Sequence, residues 1–169
     1  TGVAAALCRV LADLPARGAV VSSAAAAVED HLLEVLLPSL FPEASILRGH
    51  PGAGQLRQDV VALVDCSVQT SPECMGPRRP LAEQIEITLL LSCTRVGRAA
   101  VQRAADHAAW AMYGSVRDAL RDATTPHLGG TCREARVTSA RLERSADPEM
   151  LERGRSAAIT VTLSVRATT

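Results

Sequence analysis

A strand that leads directly into one long helix, within residues 81–131, most constrains what this 169-residue chain can fold into. From Ile85 to Cys93 every second residue is apolar, which is the period of a strand with one buried face. Gly97 then turns the chain into a helix that ends near the stop signal TTPHLGG. Because such a strand and helix need further layers to cover their apolar faces, we expect the rest of the chain to pack around this unit.

The helix is predicted to have two faces of different chemistry. At 100° per residue, small and apolar side chains share a sector of about 120°, namely Val101, Ala104, Ala105, Ala108, Met112, Val116, Ala119 and Ala123. The opposite side carries Arg103, Asp106, Trp110, Tyr113, Arg117 and Arg121. Tryptophan, tyrosine and arginine are enriched at interface hot spots. Two interpretations stay open: the N-terminal helices of the same chain cover Trp110, or a second subunit does.

The remaining segments predict helices first and strands afterwards. Helices are expected at residues 3–14 and 24–41, the second with Val28, Leu32, Val35 and Leu36 on its core face and prolines 38 and 42 as terminators. Strands are expected at residues 45–48, 59–68, 131–144 and 156–169. The third of these should contain a bulge or a bend, because Val137 and Leu142 have opposite parity. The sequence thus predicts a single α+β domain over residues 1–169. It would contain a mainly antiparallel sheet of four or five strands, one long helix on one face, and one or two N-terminal helices.

The segment QTSPECMGPRRP separates two predicted strands and contains three prolines and a glycine. Its composition fits either a long irregular loop or the tip of an extended hairpin, at about residues 69–81. Arg78 and Arg79 at its end are candidates for contacts with carboxylates of a neighbouring chain, with two solvated arginines as the alternative.

Charge and motifs argue against several classes of function. The 18 basic and 18 acidic residues balance, so no overall basic field attracts nucleic acid. The five cysteines are scattered without a CxxC pair, which favours reduced thiols in an intracellular protein over a disulfide framework. No apolar run approaches the ~20 residues of a membrane helix. With no metal, nucleotide or nucleophile motif present, we predict no catalytic, cofactor-binding or metal-binding residue and no enzyme activity.

A family resemblance is carried by the order of four stretches. RRPLAEQIEITLLLSCTRVG, the Ala/Arg-rich helix, LGGTCREARVTSARLE and GRSAAITVTLSVRA together resemble the tail terminator proteins of long-tailed, siphovirus-type bacteriophages of actinobacterial hosts. The similarity covers about residues 59–167. It is a pattern of strand, helix, LGG turn and two strands.

The resemblance implies a structural virion protein at the junction of tail and neck, assembled in the bacterial host cytoplasm. A homohexameric ring would cap the tail tube, end its polymerisation and offer a joining surface to the neck. The partners implied are the major tail tube protein and a head-completion or connector protein, while DNA passes through the lumen without sequence recognition. The candidate interfaces are the helix face with Arg103, Trp110, Tyr113 and Arg117, and the loop with Arg78 and Arg79. The alternatives are another neck component (a head–tail connector or tail completion protein) and a small cytoplasmic ligand-binding or acyl-transfer enzyme.

Overall fold

One five-stranded sheet organises the computed structural model, which describes residues 23–51, 59–72, 81–97, 101–122, 128–144 and 154–168. The strands lie in the order β1-β2-β3-β5-β4. Only the β1–β2 pair is parallel, and the other three pairs are antiparallel. The strand bounds are Ser45–Arg48 (β1), Asp59–Pro72 (β2), Leu81–Arg95 (β3), Glu134–Arg144 (β4) and Arg155–Thr168 (β5).

The helices pack on one face of this sheet. In chain order they are α1 (Ala24–His31), a π-helical segment (Leu32–Leu36), α2 (Leu37–Leu40) and the long α3 (Gln102–Arg121), followed by a 3₁₀ turn (Leu128–Gly130). The long helix lies across β3, β5 and β4. The predicted α+β class, with a mostly antiparallel sheet and one long helix on one face, is confirmed. The helix predicted at residues 3–14 lies outside the described residues.

The centre of the core comes from the alternating strands β3 and β5. The positions predicted to face inward have no exposed surface, namely Ile85, Ile87, Leu89, Leu91 and Cys93 on β3 and Ile159, Val161, Leu163 and Val165 on β5. The two strands pair in one register from Ala82↔Thr168 to Arg95↔Arg155. Because the side-chain period of a strand is two, this register puts both apolar rows under the helices.

The strands β2 and β3 form a long hairpin. Their pairing runs from Asp59↔Cys93 to Pro72↔Leu81, so residues 73–80, which lie outside the described ranges, connect two paired strand ends. The parallel strand β1 covers only the first part of β2, up to Leu63. Within the described residues, the remainder of β2 is therefore an edge strand.

Strand β4 contains a bulge, which is one of the two irregularities predicted for it. Its register against β5 shifts between Val137 and Ser139. The extra residue changes the parity of the strand, so Val137 and Leu142 both pack against the core although they lie five positions apart.

The helix predicted at residues 24–41 exists, and its core face was predicted correctly at Val28 and Leu32, which have no exposed surface, but wrongly at Val35. Val35 is 53% exposed, whereas Leu37 has no exposed surface. The N–H of Leu37 donates to the carbonyl of Leu32, five residues back, and this wider turn rotates the later residues relative to an α-helix. Pro38 does not end the helix, because the chain stays helical to Leu40. In a regular α-helix the ring of Pro38 would clash with the carbonyl four residues earlier, and here a wider π-helical segment directly precedes the turn that holds Pro38.

The buried stripe of α3 also differs from the predicted sector. Ala105, Met112 and Val116 are buried as predicted, but Ala104 is exposed and Ala109 is buried in its place. These four buried positions follow the i, i+4, i+7, i+11 spacing of one helix face. Alanines on several sides of the helix gave similar patterns in the sequence, and only the contact with the sheet distinguishes them.

Candidate functional site

An aromatic pair stands on the outer side of α3. The rings of Trp110 and Tyr113 meet edge to face, with centroids 5.5 Å apart and an interplanar angle of 83°. The guanidinium of Arg117 lies 5.8 Å from the centroid of the Tyr113 ring, within cation–π range. Tyr113 is partly buried against the core, while Trp110 remains 43% exposed. Tyr113 thus contacts both Trp110 and Arg117 from a partly buried position, and Trp110 presents an exposed aromatic surface.

The predicted residue Arg103 lies on the same side of the helix, about two turns before Trp110. Its Nε is 3.5 Å from Nε2 of His107, and both side chains are exposed. The structure therefore brings Arg103, Trp110, Tyr113 and Arg117 onto one helix side. The other two predicted residues, Arg78 and Arg79, lie outside the described residues.

An ion pair fixes the first half of α3 to the end of β4. The guanidinium of Arg144 donates to Oδ2 of Asp106 from Nη2 at 2.9 Å and from Nε at 3.1 Å, and its Nε lies 3.4 Å from Oδ1. The amide of Gln102 donates to the same carboxylate at 3.0 Å and to the carbonyl of Ser156 at 3.2 Å. The hydrogen bond from Arg144 is the main cause that lowers the pKa of Asp106 below its ordinary value.

A groove of about 320 Å³ separates the second half of α3 from β4. We call it the α3–β4 groove; it is lined by Tyr113, Arg117, Leu120, Arg121, Arg136 and Val137. Three of these six side chains are arginines, and they surround two apolar side chains and the tyrosine. Arg117 contacts the carboxylate of Asp118 at 2.8 Å, and Arg136 lies 3.6 Å from that of Glu134.

Sequence reasoning placed Arg117 and Arg121 on the outer side of the helix but did not find the groove. Arg136 reaches it only because β4 pairs with β5 and thereby lies beside α3. No local pattern encodes that neighbourhood. The signal available was the arginine-rich composition of REARVTSARLER, which says nothing about what those arginines face.

The described cysteines are poor nucleophiles. Burial is the main cause that raises the pKa of the Cys66 and Cys93 thiols to about 12, and it also raises that of Cys132. The thiolate is the reactive form, so these thiols are weak nucleophiles at neutral pH.

Among the described residues there is no cluster of three or more His, Cys, Asp or Glu side chains that would hold a metal ion. The part of the chain that the structure describes contains no helix long and apolar enough to cross a membrane.

The described part of the chain thus defines an α+β protein whose distinctive surface is an aromatic and arginine-rich helix side beside an arginine-lined groove. No protein-family model matches the chain, and no curated protein does. Among solved structures it is similar to a chain from the virion of a native gene transfer agent (GTA) particle, at 15% identity and a TM-score of 0.39. That similarity covers 89% of this chain and 99% of the other. A likeness of this degree transfers no property of that particle to this protein.

Proposed function

We propose that this protein is a ring-forming tail terminator of a long-tailed bacteriophage. The resemblance of residues 59–167 to that family supports the proposal. The single structural observation that carries it is the exposed Trp110, held by Tyr113 beside Arg117 on the outer side of a well-packed helix. Packing α3 onto its own sheet does not require a large aromatic side chain there. A neighbouring subunit would use it, because such residues dominate the energy of protein interfaces.

The proposed mechanism is steric and involves no catalysis. Subunits of a closed ring join head to tail through two different surfaces, so each chain offers one surface to each neighbour. One face of the hexameric ring would match the end of the tail tube and stop its growth. The other face would receive the head-completion or connector protein, with DNA crossing the lumen at the junction of tail and neck.

Electron microscopy and mass photometry of the purified chain, with and without its tail tube protein, test the proposal. We expect rings with a lumen wide enough for DNA, and tubes that stop growing when the rings are added. A chain that stays strictly monomeric even with tube protein present would contradict the proposal. Rings that bind the connector protein but leave tube growth unchanged would instead identify another neck component.

The variant Trp110→Ala tests the interface within this proposal. We expect it to lose the rings while its monomer keeps its melting temperature within a few degrees. The matched control is Val96→Ala, which also shortens an exposed apolar side chain, 76% exposed, but at the end of β3. Unchanged rings combined with a lower melting temperature would show that Trp110 serves the packing of its own subunit.

A further inference from the structure

The surfaces at the two lateral ends of the sheet differ in their exposed charged side chains. The β4 end holds the α3–β4 groove with Arg117, Arg121 and Arg136. At the other end β1 is the outermost strand, and α1 with the π-helical segment lies beside it. That end carries carboxylates. Since β1 and β4 are the first and last strands in the sheet order, the two strands lie at opposite edges of the sheet.

At the β1 end there are more carboxylates than arginines. Arg48 of β1 is shared between the carboxylates of Asp30, at 2.9 Å, and Glu29, at 3.5 Å. Glu34 follows on the π-helical segment and is exposed, as is Asp30. Next to Glu34, Val35 exposes half of its surface. This surface therefore combines carboxylates with an exposed apolar side chain.

At the β4 end, the arginines are only weakly engaged within the subunit. The contacts of Arg117 with Asp118 and of Arg136 with Glu134 are exposed on both sides, and ion pairs of that kind contribute little. Arginine is suited to binding carboxylates because its planar group donates two parallel hydrogen bonds. The groove also contains Leu120 and Val137, which provide apolar contact.

We propose that the α3–β4 groove of one copy binds the Asp30 and Glu34 carboxylates of a second copy of this chain. This inference rests on the proposed ring and names the two surfaces that join its subunits. One is the acidic surface, and the other is the groove, which shares Tyr113 and Arg117 with the Trp110 side of α3. The groove and the acidic surface differ from each other, so the contact is heterologous and each bound copy leaves one free end of each kind. Val35 of the acidic surface lies against the apolar lining of the groove.

Charge reversal and its repair test this contact in the full chain. Arg117→Glu/Arg121→Glu and Asp30→Arg/Glu34→Arg should each weaken self-association by at least about tenfold, because like charges then face each other. The chain with all four changes should regain most of the assembly, as should an equimolar mixture of the two double variants. The matched control is Arg141→Glu, a reversal on β4 at a side chain that is 82% exposed and outside the groove, and it should assemble like the parent.

Sedimentation velocity gives the association state, and circular dichroism melting shows whether each variant folds. If both double variants assemble like the parent, the groove does not bind the acidic surface, although the ring itself stands. Folded double variants that are not repaired by combination would also overturn the pairing. If the parent chain is monomeric at every concentration and with tube protein present, both this inference and the proposed function fall.

Discussion

The π-helical segment reverses the expected effects on stability of two substitutions, compared with a regular helix. A helical wheel assigns Val35 to the core, whereas the structure exposes 53% of Val35 and buries Leu37 completely. The substitutions Val35→Ala and Leu37→Ala therefore separate the two helix registers. They lie two residues apart, so effects on the surrounding helix are closely matched.

The expected losses follow from the carbon atoms that each change removes. Leu37→Ala removes three buried carbons at about 0.8 kcal/mol each, and the cavity left behind brings the cost into the range of about 2–5 kcal/mol. Val35→Ala removes two carbons that are half exposed, so the same scale gives about 0.8 kcal/mol. The better helix propensity of alanine offsets about 0.5 kcal/mol of that. We expect a difference of at least about 2 kcal/mol between the variants.

Urea unfolding followed by circular dichroism, at a concentration where the chain is dissociated, measures both free energies of unfolding. The slope with denaturant should stay the same in both variants, because the surface exposed on unfolding hardly changes. A Val35→Ala variant that loses as much stability as Leu37→Ala, or more, would refute the π-helical register.

Two further predictions concern buried and paired carboxylates. Glu83 is 4% exposed and accepts hydrogen bonds from the Ser23 hydroxyl at 3.0 Å and the Ala24 N–H at 2.8 Å, at the start of α1. Glu83→Ala should therefore cost about 1–3 kcal/mol of unfolding free energy in urea, whereas removing the exposed Glu86 of the same strand should leave it nearly unchanged. Asp106 has a lowered pKa, so its contribution is present above its unfolded pKa and is lost as the pH falls through the lowered value. Urea titrations between about pH 5 and pH 2 should show a shallower loss of stability in Asp106→Asn than in the parent, and equal slopes would contradict this.

The strands were predictable because their signals are local. The alternation of Ile85 to Cys93 and of Ile159 to Val165 specifies one buried face each, and a slip of one residue would expose the apolar row. An irregularity in β4 was also predictable, because Val137 and Leu142 have opposite parity and a bulge or a bend can place both on one face. Only the pairing with β5 shows that it is a bulge.

The helix faces were less predictable, for two physical reasons. A wheel assumes 100° per residue, and the turn that places Leu37 in the core does not obey it. On α3 the alanines occur on several sides, so Ala104 and Ala109 differ only in what the sheet places next to them. The groove was not predictable either, because Arg136 lies near α3 only as a result of the pairing of β4 with β5, which no local pattern specifies.

The π-helical turn also has a consequence for chains of different length. A π-helical turn holds about one residue more than an α-helical turn. A chain with one residue fewer between Leu32 and Leu37, and without a proline at the next position, would keep both leucines on the sheet in a regular helix. An alignment to such a chain needs a one-residue gap at this turn. Without that gap, each core position that follows the turn in this helix would be aligned with the residue next to its true counterpart.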